Sequence, residues 1–181
     1  MAEAVVCKMN YKEAIKKSME ELAKDKNTIF LGYNIRFGSK AYGTLKDIDE
    51  SQKLETPLAE NLMVGLAIGM SLEGLRPVLF FERHDFMLIA LDAIVNHLDK
   101  IEEMSKGEFK MPVIIRATIG SNSPLDPGVQ HTQDFTEVFK KLINFKIFEP
   151  KNVREVFKAY KEAKKLDKPC MIIERRDLYE C

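Results

Sequence analysis

The sequence has no tryptophan, only three cysteines and no excess of charge, because 28 Lys and Arg residues balance 28 Asp and Glu residues. A neutral chain has no long-range field that attracts a polyanion, which argues against nucleic acid or an acidic membrane as a main partner. Cys7, Cys170 and Cys181 are odd in number and lack CxxC spacing, so we expect a reducing, cytoplasmic compartment and no zinc site. No apolar run approaches the length of about 18 residues that a membrane span needs, and the N-terminus lacks the pattern of a signal peptide.

The rest of the composition is that of an ordinary globular protein. With 181 residues, of which 45% are apolar, the chain suits a single domain over residues 1–181. A chain of this length can bury roughly 70% of the surface that it exposes when unfolded, so its core needs no disulfide or metal to stabilise it.

Apolar residues follow two different spacings along the chain. Short apolar runs of strand length are separated by longer segments in which apolar residues recur at helical spacing. Strands are predicted over residues 28–32, 78–81, 111–116, 146–148 and 170–174. Helices are predicted over residues 11–23, with Asn10 as a cap, and over 58–75, 86–104, 133–142 and 153–166. This alternation predicts an α/β fold: a three-layer, doubly wound, mostly parallel sheet with helices on both faces.

Three segments lie where the ligands of such a sheet bind, beyond the carboxyl ends of the strands. They are residues 55–60, 81–86 and 117–133, each between a predicted strand and a predicted helix. Glu60 stands in the first turn of a predicted helix, where the helix dipole favours a carboxylate. Spacing alone favours a simple capping role for Glu60, and a functional role needs an independent observation.

A succession of motifs supplies that observation. In chain order they are Thr56-Pro57-Leu58-Ala59-Glu60, Val64-Gly65-Leu66-Ala67-Ile68-Gly69, Gly74-Leu75-Arg76-Pro77, Asp85-Phe86, Asp92 with Asn96, Met104-Ser105-Lys106-Gly107, residues 109–116, and Gln130-His131-Thr132-Gln133. In this order and spacing, from about residue 11 to 179, the chain resembles the beta subunits of 2-oxo acid dehydrogenases, which act on pyruvate, branched-chain acids or acetoin. The resemblance implies the transketolase-like pyrimidine-binding domain of thiamine diphosphate enzymes.

By this resemblance, three residues belong to a cofactor site. Glu60 matches the glutamate that hydrogen-bonds the aminopyrimidine of thiamine diphosphate and prepares it to remove the proton from the thiazolium carbon. Phe86 matches the aromatic ring that stacks on the aminopyrimidine, although taken alone it would be a core residue. His131 matches a loop histidine that reaches the reacting centre as acid, base or hydrogen-bond donor, although a loop histidine is often only solvated. His97, at amphipathic spacing in a helix, is expected to be packed or on the surface.

Four further residues are candidates for contact with the substrate. Glu82, Arg83 and His84 replace a stretch that is usually apolar or neutral in the family, and they could contact a polar substrate such as a sugar or an acid. A contact with a partner subunit or an internal ion pair is the alternative for these three residues. Gln130, next to the loop histidine, is the fourth candidate. No residue of this chain is predicted to bind a metal.

The chain also departs from the family in ways that imply a partner. We expect the given sequence to correspond to the pyrimidine-binding half of a two-domain family subunit, either as a natural single domain or as a truncated form. Tyr33 stands where the family has an acid of a proton path, and tyrosine is a far weaker acid. The sequence contains no Gly-Asp pair, whereas these enzymes hold the diphosphate through Mg²⁺ with a Gly-Asp-Gly motif and a distant Asn. The resemblance therefore implies that a partner alpha subunit binds the diphosphate and Mg²⁺, in an α2β2 assembly. The face of Gly65 and Gly69 is a candidate interface, close packing within the domain being the alternative.

These observations lead to one main hypothesis and two alternatives. The main hypothesis is the pyrimidine-binding subunit of a heteromeric thiamine diphosphate enzyme that makes or breaks a carbon–carbon bond next to the carbonyl of a small molecule, most like 2-oxo acid decarboxylation with transfer to a lipoyl carrier. The first alternative is a transketolase-like transfer on a sugar or sugar derivative. The second, of another class, is a non-catalytic α/β binding or regulatory module. A flavodoxin-like nucleotide-binding domain is disfavoured because no glycine-rich loop follows the first strand.

Overall fold

A six-stranded parallel sheet forms the centre of the molecule. The computed structural model describes residues 9–123 and 126–180. The strands are β1 (Thr28–Gly32), β2 (Lys53–Glu55), β3 (Arg76–Phe81), β4 (Ile114–Ile119), β5 (Lys146–Phe148) and β6 (Cys170–Arg175). Their order is β2-β1-β3-β4-β6-β5, and every neighbouring pair is parallel. The chain moves outward from β1 in both directions, so the doubly wound topology predicted from the sequence is confirmed.

The residues that the structure describes include five α-helices, of which the first precedes β1 and the other four lie between successive strands. They are α1 (Tyr11–Leu22), α2 (Glu60–Leu72), α3 (Ile101–Met104), α4 (Thr136–Leu142) and α5 (Val153–Ala163). The predicted cap of the first helix is present as a capping box, in which Asn10 accepts from the backbone N–H of Glu13 and the Glu13 side chain accepts from that of Asn10. In the part of the chain that the structure describes, no helix is long and apolar enough to cross a membrane.

The helices cover both faces of the sheet, because alternate residues of each central strand point to opposite sides. On β3, Leu79 and Phe81 enter one hydrophobic cluster, together with residues of α2 and α4. Val78 and Phe80 enter the other cluster, together with residues of α1 and α5. The three-layer arrangement expected from the alternation of strands and helices is therefore confirmed.

The segment predicted as one helix over residues 86–104 is irregular. It consists of a 3₁₀ helix (His84–Ala90), a π-helical stretch (Ala93–Leu98) and the short α3. The tight and wide turns keep Met87, Ala90, Ile94 and Leu98 buried at spacings of three, four and four residues. A regular helix over residues 86–104 would place Ile89 beside Ala93 on the buried side, but the irregular turns leave the Ile89 side chain exposed.

Other differences concern the ends of elements. The short edge strand β2 was missed because its sequence, Lys53-Leu54-Glu55, has one apolar residue between two charged residues and so forms no apolar run. Strand β4 begins and ends three residues later than predicted, so residues 117–119 belong to the sheet and not to the following loop. Cys170, at the start of β6, is a buried free thiol, and Cys7 and Cys181 lie outside the described residues.

A buried ion pair joins β4 to β6. The Arg116 side chain is completely buried and donates from Nε and Nη2 to the two carboxylate oxygens of Glu174, at 2.8 and 3.1 Å. Nη2 also donates to the Thr44 hydroxyl at 3.1 Å. The hydroxyls of Tyr160 and Tyr179 donate to the same carboxylate. This network ties α5, the chain terminus and the segment after β1 to the centre of the sheet.

A candidate active site at the carboxyl ends of the strands

A pocket of about 380 Å³ opens beyond the carboxyl ends of β1 and β3. Its walls come from the segment after β1, the start of α2, the end of β3 and the loop before α4. The lining residues are Tyr33, Asn34, Leu58, Glu60, Met63, Phe80, Phe81, Glu82, Arg83, Phe86 and His131. The pocket therefore lies where an open parallel sheet binds its ligands, and it brings together residues that are far apart in the sequence.

Glu60 is the first residue of α2 and is only 5% exposed. The preceding residue, Ala59, makes no side-chain cap hydrogen bond. Among the described residues none donates a hydrogen bond to the Glu60 carboxylate or forms an ion pair with it, so a role as a helix cap is not observed. An acid that is nearly buried, lines a pocket and has no internal partner is available to a ligand.

Phe86 and His131 form the wall beside this acid. Their rings meet edge to face, with centroids 5.4 Å apart and planes at 84°. Both side chains are half-buried, and Nδ1 of His131 is a buried atom without a hydrogen-bond partner among the described residues. The wall thus offers an aromatic face and an imidazole nitrogen that no protein group satisfies.

Side chains from the end of β3 hold the loop that carries His131. Oδ1 of Asp85 accepts from the backbone and side-chain N–H groups of Gln133, both at 3.1 Å. Gly120, directly after β4, allows close approach, because a Cβ atom there would lie 1.8 Å from the carbonyl oxygen of His131. The position of His131 is therefore set by the segments that follow β3 and β4 and not by its own loop alone.

His84 was predicted to contact the substrate, and the structure places it elsewhere. Its side chain is completely buried, its ring stacks on Phe139 with centroids 5.5 Å apart, and its Nδ1 accepts from the backbone N–H of Phe135 at 3.2 Å. Burial lowers the pKa of His84, so the ring is neutral. The prediction is wrong because it grouped His84 with its neighbours Glu82 and Arg83, which line the pocket, whereas the His84 side chain packs in the core.

The other predicted substrate residues divide into two groups. Gln130 is exposed and does not line the pocket. Glu82 and Arg83 do line it, but their charged groups do not form an ion pair with each other. The Glu82 carboxylate accepts from the Asn34 side-chain amide at 2.8 Å and from the Ser39 hydroxyl at 3.1 Å. Among the described residues, the Arg83 guanidinium donates only to the backbone carbonyl of Glu82, at 3.2 Å.

The Tyr42 ring contacts the Arg83 guanidinium, and the sequence did not predict this contact. The Arg83 guanidinium lies 5.4 Å from the centre of the Tyr42 ring, and that of Arg176 lies 5.0 Å from it. Lys40, Ala41 and Tyr42 have left-handed backbone angles, with φ of 49°, 51° and 56°. Such angles cost roughly 1–2 kcal/mol for each non-glycine residue. Strain of this kind persists where the surrounding structure fixes it, often next to a functional site.

Two features outside the pocket bear on its use. Within the described ranges no group of three or more His, Cys, Asp or Glu side chains is arranged to hold a metal ion. A larger groove of about 660 Å³ lies between the C-terminal ends of α1 and α5. None of the residues predicted to take part in chemistry lines that groove, so its size does not make it the candidate site.

An apolar surface, which we call the α2 face, lies next to the pocket. Its members are Leu58, Leu62, Gly65, Gly69, Leu72, Leu88 and Ile89, all exposed. A Cβ atom added at either glycine would meet no described atom within 4 Å. Close packing of these glycines against other described residues, the alternative explanation, is therefore not observed, and none of the residues in the ranges 9–123 and 126–180 covers the α2 face.

Comparison with known sequences identifies one family over nearly the whole chain. The family described as "Transketolase, pyrimidine binding domain" matches residues 7–180. The beta subunit of the pyruvate dehydrogenase E1 component of Saccharomyces cerevisiae mitochondria is 30% identical over 176 residues, which are 94% of this chain and 48% of that protein. The corresponding subunit of Rickettsia conorii is 29% identical over 173 residues, 93% of this chain and 52% of that protein. The chain thus spans about half the length of these relatives.

Comparison with solved structures agrees on the fold. A chain described as "Split gene transketolase, inactive beta4 tetramer" superposes with a TM-score of 0.74 at 20% sequence identity. The match covers 93% of this chain and 52% of the other. The arrangement of strands and helices described above is therefore one that a transketolase-type protein also adopts.

Proposed function

The chain belongs to the transketolase pyrimidine-binding domain family, and from this premise we propose that it is the pyrimidine-binding subunit of a heteromeric, thiamine diphosphate-dependent enzyme. The enzyme makes or breaks a carbon–carbon bond next to the carbonyl of a small molecule. The observation that carries this proposal is the Glu60 carboxylate, nearly buried and without an internal partner in a pocket walled by Phe86 and His131.

The pocket suits an aminopyrimidine ring. A flat heteroaromatic needs an aromatic neighbour and polar groups at its edge. Phe86 supplies the ring, Glu60 supplies an acceptor, and the unpartnered Nδ1 of His131 supplies a third polar atom. The apolar side chains of Leu58 and Met63 line the same pocket and limit access of water.

The chemistry divides between the cofactor and the protein. When bound, thiamine diphosphate supplies the carbon nucleophile and the electron sink that cleavage next to a carbonyl requires. Glu60, nearly buried in the pocket, would hydrogen-bond a ring nitrogen of the aminopyrimidine through its carboxylate. His131 lies in the pocket wall with Phe86 and would donate or accept a proton there, and its loop is fixed by Asp85 and Gly120.

The other half of the cofactor site belongs, in this proposal, to a partner chain. Mg²⁺ that bridges phosphates needs carboxylate and carbonyl oxygens at a fixed place, and the described residues contain no such cluster. A partner that carries Gly-Asp-Gly and a distant Asn would supply these oxygens. The exposed α2 face beside the pocket is where we place this alpha subunit, in an α2β2 assembly.

Two substrate classes fit the proposal. The relatives named above favour a 2-oxo acid with transfer to a lipoyl carrier. A sugar or sugar derivative is the second candidate, and the specific observation in its favour is the presence of two charged side chains in the pocket lining, Glu82 and Arg83, which do not pair with each other. Acylation of a lipoyl domain and transfer between ketose and aldose, both measured with the partner present, separate the two classes.

The interface can be tested through its glycines. In the isolated chain, replacing Gly65 and Gly69 by alanine should raise the free energy of unfolding by up to about 1 kcal/mol at each position, because alanine favours the helix and its Cβ has free space. The same double variant should bind the partner at least tenfold more weakly, because the added methyl groups separate the two backbones. Urea unfolding and sedimentation measure the two effects.

The opposite signs of these two effects exclude a simple folding defect. Lys158→Ala, on the exposed side of α5, is the control and should leave association unchanged. Equal partner affinity of the wild type and the double variant would remove the α2 face from the proposed interface.

A further inference from the structure

His84 is a polar ring that the structure places in the core. Its side chain is completely buried and stacks on Phe139 of α4, with ring centroids 5.5 Å apart. The Phe135 ring meets it at 61°, with centroids 6.2 Å apart. These two aromatic contacts hold the plane of the imidazole ring.

The two ring nitrogens of His84 differ in their surroundings. Nδ1 accepts a hydrogen bond from the backbone N–H of Phe135 at 3.2 Å. An imidazole that accepts at Nδ1 is neutral and carries its proton at Nε2. Nε2 is buried and has no hydrogen-bond partner among the described residues, which costs free energy. A phenylalanine ring would avoid this cost, so the bond to Phe135 is what the histidine provides and a carbon ring cannot.

That bond fixes the end of the loop that carries His131. Phe135 directly precedes α4 and lies four residues after His131. Asp85, the next residue after His84, holds the middle of the same loop through Gln133. The 3₁₀ helix that begins at His84 thus binds the loop at two alternate backbone N–H groups. From this loop the His131 side chain reaches the pocket.

Two carboxylates face the His84 ring. Asp134, in the loop, has an oxygen 3.8 Å from Nδ1 and pairs with Arg175 at the end of β6. Asp85, on the same 3₁₀ helix, is the other acid, and α4 presents the uncharged ring of Phe139. Burial is the largest influence and lowers the pKa of His84, and the two carboxylates act against it. The ring therefore takes up a proton only below the ordinary range of histidine, about pH 6.5.

A proton changes what Nδ1 can do. An imidazolium has N–H groups at both nitrogens and no acceptor, so it cannot keep the hydrogen bond from the Phe135 N–H. The new Nδ1–H would face the Asp134 carboxylate instead. The N–H groups of His84 and Phe135 would then point at each other, and their repulsion opposes the native position of the loop.

We infer that His84 is a positioning residue: its neutral imidazole accepts from the Phe135 N–H and so holds the loop that presents His131 to the pocket, and a proton on the ring releases that loop. The inference rests on the proposed function for the part that His131 plays in turnover. The hold on the loop, by contrast, is a property of this chain alone. His84 itself does not line the pocket.

Hydrogen exchange of the loop amides in the full chain tests the hold on the loop. His84→Phe keeps an aromatic ring but has no acceptor, so the Phe135 amide should exchange at least tenfold faster. His84→Asn supplies an acceptor oxygen close to the position of Nδ1 and should restore exchange to within threefold of the wild type. His97→Phe removes an exposed histidine and is the matched control, which should leave the loop unchanged.

The pH dependence separates this role from simple packing. In the wild type, the Phe135 amide should lose protection relative to the amides of β4 as the pH falls below about 6.5 and His84 takes up a proton. In His84→Phe this additional loss should be absent. Nitrogen-15 NMR of the His84 imidazole should show protonation at the same midpoint as the loss of protection. If His84→Phe folds poorly, this titration of the wild type provides the test.

In the reconstituted enzyme, the loosened loop should lower turnover and not cofactor binding. His84→Phe should lose at least tenfold in kcat. Its affinity for thiamine diphosphate should stay within threefold of the wild type, because Glu60 and Phe86 are unchanged. His84→Asn should recover most of the turnover, and His97→Phe should keep all of it.

Three results would overturn one claim or the other. Unchanged exchange of the Phe135 amide in His84→Phe, or wild-type protection that does not follow the protonation of His84, would overturn the inference. Faster exchange with full turnover would also overturn it, and the inactivity of Glu60→Gln in the same assay would leave the proposed function in place. A loop that responds as expected, in a chain without thiamine diphosphate-dependent turnover beside its partner, would overturn the proposed function only.

Discussion

Replacing Glu60 by glutamine is expected to lower turnover of the reconstituted enzyme by about 10²–10⁴-fold. Glutamine keeps the size and one acceptor oxygen of Glu60 but has no negative charge, so it cannot hold the proton shared with the pyrimidine ring nitrogen. The effect should be large because the side chain is only 5% exposed and the other acid of the pocket lining, Glu82, is held by hydrogen bonds from Asn34 and Ser39. Steady-state rates with the partner present measure it.

Glu73→Gln is the matched control for this variant. Glu73 is exposed and caps the C-terminal end of the same helix, so the exchange removes one acidic charge from α2 at a distance from the pocket. Its turnover should remain within twofold of the wild type. If Glu60→Gln also stayed within twofold, Glu60 would have no catalytic role, and the hypothesis of a non-catalytic α/β module would gain support.

Replacing Glu174 by glutamine is expected to destabilise the fold more than any substitution at the surface. The exchange leaves the Arg116 guanidinium charged and unpaired in the core, which costs about 3–5 kcal/mol of unfolding free energy. Burial by itself lowers the pKa of Arg116, and the charge of Glu174 overcomes this effect so that the pKa is raised. For a chain of this length the loss corresponds to a fall in Tm of roughly 6–20 °C.

Thermal and urea unfolding of the isolated chain measure this prediction. Burial raises the pKa of Tyr160 and Tyr179, so both hydroxyls stay protonated, and in the variant one of the two loses the carboxylate oxygen to which it donates. Glu137→Gln, in an exposed pair with Lys140, is the control and should leave the midpoint unchanged. A Glu174→Gln variant as stable as this control would show that the buried pair adds nothing to stability.

The central part of the fold could be predicted because it depends on local patterns. The apolar runs of β1 and β5 and the capping box at Asn10 are each encoded within a few neighbouring residues. The position of the pocket followed from the rule that ligands bind beyond the carboxyl ends of parallel strands. This rule predicts that Glu60, Phe86 and His131 lie at the same edge of the sheet, and all three line the pocket.

The remaining features depend on contacts between distant residues. Arg116 and Glu174 are 58 positions apart, and only the register of β4 and β6 brings them together. Tyr42 contacts Arg83 because its own backbone adopts left-handed angles. Residues other than glycine seldom adopt these angles, so nothing in the sequence predicted the contact. Arg83 and His84 are adjacent in the sequence and both can carry positive charge, but the structure buries His84 in the core and leaves Arg83 in the pocket lining.

The most direct test of the account is the binding of thiamine diphosphate, with Mg²⁺, to three samples: this chain alone, the partner chain alone, and the two together. If this chain supplies only the pyrimidine half of the site, the mixture should bind the cofactor at least 100-fold more tightly than either chain does, as measured by calorimetry. A mixture that binds no more tightly than the partner alone would contradict the claim that Glu60, Phe86 and His131 form the pyrimidine half of a shared site.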